Sequence, residues 1–338
     1  MRQKKDFGDR VIHGNLTVLK DMALMGHALM PQAQGLYGKT YYVNKLYGAT
    51  GKKGDSPMRA KANITEAEEL CVSGRGDMIV INSSGITTAN TTSYLDAALT
   101  WDKWGITVLG MCAPTMVAQR ARISNTSGTD IATLMTISGS NNAFYNLHVL
   151  QGGSGATALG CLEVSGDRNY FENCHIAGGG HATPAADAGM FSLKLTGSEN
   201  TFVNCTIGLD TIVRAAANGE LVFDSGAARN QFINCRFISN SITTGKFMVI
   251  VTDATSLDRY TIFQDCLFYN FATNHAATLA NCFSFPGGEQ TFDVILRNCM
   301  LVGIDEWDDN DTTGVWVDGA MTIATAEDAG LAVAPVNT

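Results

Sequence analysis

Residues 168–176 read RNYFENCHI, and residues 199–207 read ENTFVNCTI. The order Asn, aromatic, Asn, Cys, aliphatic returns after 31 residues, and further versions are NNAFYNLHV (141–149), RNQFINCRF (229–237), TIFQDCLF (261–268) and VILRNCML (294–301). One column holds Asn146, Asn173, Asn204, Asn234, Asp265 and Asn298, at steps of 27, 31, 30, 31 and 33 residues. The next column holds Leu147 and then Cys174, Cys205, Cys235, Cys266 and Cys299. Three residues before it stand Phe144, Phe171, Phe202, Phe232, Phe263 and Leu296, and two residues after it Val149, Ile176, Ile207, Phe237, Phe268 and Leu301. Upstream, short apolar runs end at Gly139, Gly166, Gly197 and Gly226. Each unit therefore reads as strand, Gly turn, strand, Asn turn, strand and variable loop.

A period of this length marks stacked repeats. Residues two apart on a strand share a face, so Phe, Cys and Ile at −3, 0 and +2 cannot all point inward from one straight strand. A bend at the Asn removes the conflict, because Asn tolerates the left-handed conformation and its amide can bond to the amide of the next coil. The chain is expected to be all-β, a right-handed single-stranded parallel β-helix with a buried Asn ladder along one corner. Coils about 4.8 Å apart place the Cys column as adjacent thiols. Side chains stacked in one direction are expected to remain free thiols packed as small apolar groups.

With 45% hydrophobic residues, 35 Gly and 16% charged residues in 338, the composition suits a turn-rich β fold with a large core. The net charge of −9 repels phosphate backbones and argues against nucleic-acid binding. No apolar run is long enough to span a membrane, and no export signal follows the basic N-terminal residues, so the chain is expected to stay in the cytoplasm where it is made. The nine cysteines lie mostly in the repeat and not in CxxC spacings, which argues against a zinc site or a disulfide framework.

Ahead of the repeat, residues 76–82 (GDMIVIN) and 104–111 (WGITVLGM) read as first coils, preceded by a short helix near 63–74 with a Thr65–Glu68 capping box, placed to plug the open end. Arg75-Gly76-Asp77 reads as a turn into a strand. Residues 1–38 carry Leu16, Val18, Met22 and Met25, lack the coil phrase and are too few to bury their own apolar face. They are expected to form an attachment or oligomerisation arm. The β-helix would occupy 39–302, and a last coil and tail 303–338. Asp309, Asp311 and Gly314 match the start of a calcium loop, but Ala320 stands where its closing Glu belongs, so a solvated loop is expected.

From Tyr41 to Asn82 the sequence YYVNKLYGATGKKGDSPMRAKANITEAEELCVSGRGDMIVIN resembles the opening of the pectate-lyase-like β-helix proteins of tailed bacteriophages. HGNLTV (13–18) is similar to strand repeats of trimeric phage fibre proteins, and EDAGLAVAP (327–335) to their C-terminal ends. The resemblance implies a homotrimeric virion component, assembled in the host cytoplasm and touching the major capsid protein or another virion protein.

Function must still come from a site. Glycoside cleavage needs carboxylates about 5–9.5 Å apart on one face. The outward positions beside the Cys column are His148, His175, Thr206, Arg236, Leu267 and Met300, and on the Gly-terminated strands Thr136, Glu163 and Lys194, with no stacked acidic pair. Asp210, Asp224 and Asp253 are the remaining acidic candidates and read as solvated surface groups. His148 and His175 would neighbour each other, yet without a third ligand they read as surface histidines and not as a metal site. Outward Leu267 and Met300 suggest surface covered by another chain. The expectation is a non-enzymatic virion structural protein, a trimeric capsid decoration or head-fibre component, with no cofactor. The alternative is a tailspike-like protein that binds or cleaves host polysaccharide.

Overall fold

The computed structural model describes residues 38–83, 85–242, 245–271, 278–286, 292–308 and 315–317, and the short strands Ala23–Leu24 and His27–Ala28, which pair antiparallel. The proposed arm residues Leu16, Val18, Met22 and Met25 lie outside the described residues. From Thr40 onward the chain winds into an all-β parallel solenoid of about seven turns. Three parallel sheets form its faces. The ten-stranded sheet runs from Thr40–Asn44 to Val315–Val317, the eight-stranded sheet from Thr92–Tyr94 to Met300–Val302, and the seven-stranded sheet from Leu99–Trp101 to Phe283–Ser284.

The register follows the repeat columns. Phe144, Phe171, Phe202, Phe232 and Phe263 pair coil to coil in the ten-stranded sheet, and successive ring centroids lie 4.9, 4.6, 4.9 and 4.9 Å apart and nearly parallel. Such stacked pairs contribute about 0.5–1.5 kcal/mol each beyond the burial of their area. Val149, Ile176, Ile207, Phe237, Phe268 and Leu301 form the equivalent inward column of the eight-stranded sheet.

The corner between these sheets falls where the sequence places it. Asn146, Asn173, Asn204, Asn234, Asp265 and Asn298 all adopt φ between 49° and 55°. Asn173 Nδ2 donates to Asn146 Oδ1 at 2.8 Å, Asn234 to Asn204 at 2.7 Å and Asn298 to Asp265 at 2.6 Å. The expected burial is wrong, however: these amides are half-buried or exposed, because a left-handed corner turns the side chain outward. The buried ladder is the other Asn of the phrase, at Asn142, Asn169, Asn200 and Asn230. Each Nδ2 donates to a carbonyl of the preceding coil (Lys103, Gly139, Gly166 and Gly197, at 2.9–3.1 Å), and each Oδ1 accepts a backbone N–H from that coil. The Gly column is explained by crowding: a Cβ on Gly166 would stand 2.0 Å from the Gly139 carbonyl oxygen, and one on Gly197 2.2 Å from that of Gly166.

All nine cysteines are free. The thiols of Cys174, Cys205, Cys235, Cys266 and Cys299 each lie 3.4–3.6 Å from the carbonyl of the phenylalanine one coil earlier. A small thiol at this point thus packs in the core and still makes a weak hydrogen bond.

The capping helix is shorter than expected, Ile64–Glu68, and its cap differs. Asn63 Oδ1 accepts from Glu66 N while Asn63 Nδ2 donates to Glu66 Oε1, both at 3.0 Å, so the reciprocal pair is Asn63–Glu66 and not Thr65–Glu68. Ile64 and Ala67 bury against the first coils and close the core. Arg75 and the buried Asp77 pair with each other at 2.6 Å, and Asp77 also accepts from Lys39 N and Val72 N. That turn fastens the chain's entry into the first coil. Among the described residues no helix is long and apolar enough to cross a membrane.

Candidate functional site

The outer face of the ten-stranded sheet carries two adjacent columns with little charge. One runs Leu109, Tyr145, Glu172, Val203, Ile233, Gln264 and Arg297, and the other Thr107, Ala143, Tyr170, Thr201, Gln231, Ile262 and Ile295. Tyr145 and Tyr170 lie side by side, ring centroids 5.7 Å apart, and Tyr170 Oη donates to Glu172 Oε2 at 3.0 Å. Burial first, and then the Glu172 carboxylate, raises both phenols, which therefore stay neutral and remain donors. At the end of the same sheet a cleft of about 710 Å³ opens beyond the paired Asn44, Asn82 and Met111, with Tyr47, Lys52, Pro57, Met58 and Ser83 completing its walls. Aromatic faces, amides and one carboxylate thus share a half-exposed surface crossing several coils.

The three acidic candidates are not brought together. Asp224 pairs with Lys194 at 3.3 Å, and Lys194 also reaches Glu163 at 3.9 Å. Asp253 accepts from the N–H and hydroxyl of Thr255, both at 2.7 Å, and those bonds hold its carboxyl below the usual range. Asp210 lines a separate groove of about 520 Å³ with Thr211, Asn240, Tyr269 and Phe271. Glu172 has Tyr145 and Val203 as its neighbours in register, so neither flanking strand sets a carboxylate beside it in that column.

The outward column of the eight-stranded sheet also departs from expectation. His148, His175 and Thr206 are buried, not surface groups. Residues 112–120 fold across them as a strap: Ala118 N donates to His175 Nδ1 at 3.0 Å, Thr206 Oγ1 to the Met116 carbonyl at 2.9 Å, and Gln119 Nε2 to the Asn173 carbonyl at 2.7 Å. The two imidazoles stack at 4.4 Å. Burial pushes His175 down to about 4 and His148 well below its ordinary value, so both are neutral near pH 7. Farther along the column Arg236 and Leu267 are half-buried and Met300 is 44% exposed. Among the described residues no group of three His, Cys, Asp or Glu is placed to hold a metal ion.

One cluster had no sequence signal beyond a lone acid in an apolar strand. Glu220 is fully buried where the chain passes from the eight- to the seven-stranded sheet. It pairs with Arg214 at 3.1 Å and Lys246 at 3.2 Å, both also buried, and accepts from Ser192 Oγ at 2.5 Å. Burial alone would raise this carboxyl, but Arg214 and then Lys246 outweigh it and hold it at about 2.

No protein-family model matches the chain, and no curated protein matches it. Solved structures do. A pectin methylesterase in complex with a hexasaccharide aligns with a TM-score of 0.54 at 14% identity, over 84% of this chain and 91% of that one. Pectin methylesterase PemA from Erwinia chrysanthemi gives 0.52 at 14% identity over 85% and 91%, and a rhamnogalacturonan lyase 0.52 at 16% over 78% and 68%. At such identities the likeness is one of fold: the chain has the pectate-lyase-like parallel β-helix fold.

Proposed function

We propose that this chain binds polysaccharide along the outer face of its ten-stranded sheet, as a tailspike-like recognition protein. The observation that carries the reading is the Tyr145–Tyr170–Glu172 patch, on the same sheet whose first strands border the 710 Å³ cleft at their ends. Sugar rings offer apolar C–H faces that pack on aromatic rings, and hydroxyls that donate to a carboxylate and bond to amides. Tyr145, Tyr170 and Glu172 supply both kinds of contact, and Gln231 and Gln264 continue the amides on the following coils. One of the solved structures of the same fold was obtained with a hexasaccharide, which supports the reading. We read the activity as binding and not cleavage, because hydrolysis by a carboxylate pair needs a second acid about 5–9.5 Å from the first. The test is calorimetric titration of the wild type and the Tyr145→Ala/Tyr170→Ala pair against acidic and neutral polysaccharides. Binding weakened at least tenfold in the variant, with no new reducing ends, is expected. Equal binding by both proteins would remove the sheet face from consideration.

A second reading, a trimeric virion structural protein on the capsid or in a head fibre, is favoured by apolar surface on the last coils. Met300 is 44% and Trp316 60% exposed there. Sedimentation equilibrium separates the readings, since a monomer at micromolar concentration removes the trimer.

A further inference from the structure

The strapped column of the eight-stranded sheet begins, coil by coil, with Thr92, Arg122 and His148. All three are more than nine-tenths buried, at 0%, 8% and 3% exposure. A buried guanidinium is normally matched by a carboxylate, because a desolvated charge with no counter-charge is strongly unfavourable. Among the described residues Arg122 forms no ion pair, and its one hydrogen bond runs from Nε to His148 Nδ1 at 2.9 Å. The neighbouring charge is Arg120, of the same sign, whose guanidinium is exposed and donates to Thr88 Oγ1 at 3.3 Å.

Two neighbouring polar atoms are also unpaired. By accepting from Arg122, His148 Nδ1 fixes the ring proton on Nε2, and that buried N–H has no partner. Thr92 Oγ1, one coil before Arg122, is also buried without one. On the next two coils of the same column the side chains are bonded: His175 at both nitrogens, to Ala118 N and the Gly208 carbonyl, and Thr206 to the Met116 carbonyl. What the first three coils of this column lack is therefore negative charge opposite the Arg122 guanidinium. Buried donors in native proteins are almost always paired, so a concentration of unpaired ones asks for an outside acceptor.

We infer that Arg122 and Arg120 form a binding site for a small oxyanion, a carboxylate or a phosphate-type group, on a face other than the one proposed for polysaccharide. His148 acts as a positioning residue. By engaging Nε it leaves the two terminal amino groups of Arg122 as a fork for a bidentate contact, reached through the edge that stays exposed. Arg120 adds a second charge at the rim.

Thermal melts in sodium phosphate, sulfate and acetate, each against chloride at equal ionic strength, test the site in the full chain. The melting temperature of the wild type should rise with the logarithm of oxyanion concentration. A rise with phosphate and sulfate alone assigns a tetrahedral dianion, and a rise with acetate as well assigns a carboxylate; either supports the site. Arg122→Met should remove the dependence while melting no lower than wild type in chloride, since it deletes a buried charge with no partner. Should that variant fail to fold, Arg120→Gln, on the exposed rim, must raise the apparent Kd severalfold. No oxyanion response beyond chloride, an equal response in Arg122→Met, or an unchanged Kd in Arg120→Gln would overturn the assignment.

Discussion

Asn200 and Asn204 stand four residues apart and differ in what surrounds them. Asn200 is fully buried, donates to the Gly166 carbonyl and accepts from Asn169 N, whereas the half-buried Asn204 accepts from Asn234 at an outer corner. Removing a buried amide strands its partners, so Asn200→Ala should destabilise by about 1–3 kcal/mol and Asn204→Ala by less. Urea melts of the two variants decide it, and a larger loss at Asn204 would reverse the order. Glu220 is the more sensitive residue, since Glu220→Gln leaves Arg214 and Lys246 buried without their carboxylate. Breaking a buried pair in this way costs about 3–5 kcal/mol. The thiols give a chemical reading of the same core: Cys205 and Cys235 should resist alkylation in the native protein, because burial both shields them and raises them well above the usual thiol range. The partly exposed Cys112 and Cys299 should label before them, and mass spectrometry after timed alkylation gives the order.

Elements that the repeat does not contain decide how the molecule meets acid. The strap over residues 112–120 hangs on a neutral His175, which lies among His148, Arg122, Asp210 and Glu220. Its ordinary value of 6.5 falls to about 4 in the fold, so between those pH values the unfolded chain binds a proton that the native one refuses. Stability therefore declines as pH drops through that window. Glu220, ordinarily 4.5 and held at about 2, extends the decline through the range below 4.5. Lys246, pushed from 10.5 to about 8 by burial, acts on the alkaline side, where stability should rise between those values because the unfolded chain keeps the proton longer. Protonating His175 at Nδ1 removes the acceptor for Ala118 N–H. Hydrogen exchange near pH 3.5 should thus show residues 116–119 opening before the coils, whereas uniform exchange would mean that the strap is held elsewhere.

Over the whole molecule, what the sequence made legible was what it repeats. The Phe, Cys and aliphatic columns, the left-handed Asn corner and the solenoid itself follow from a period and from strand parity. The strap and the burial of His148, His175 and Thr206 were hidden because they depend on contacts such as Thr206 to Met116, 90 residues apart and outside any period. The buried ladder was visible as the Asn two residues before the aromatic in the first four phrases, but parity alone does not say which of two corner amides turns inward. Glu220 carried no warning because its partners, Arg214 and Lys246, come from loops and strand ends that differ in every coil.

In all three sheets the strands of successive coils pair side by side, so the backbone hydrogen bonds run along the stacking axis and, beyond the coils that the strap ties together, each coil is held by its neighbours. A load applied along that axis meets the coils in series and not in parallel. Such a rod yields by peeling from an end, one coil at a time, where a sandwich of comparable size would resist until it ruptured at once. Each released coil frees the 27–33 residues of one repeat, roughly 100 Å of extended chain at about 3.3–3.6 Å per residue. Force spectroscopy between tethers on the first and last coils should record a train of low, evenly spaced steps of that length. The chain would then lengthen stepwise under strain and rewind from whichever coils remain.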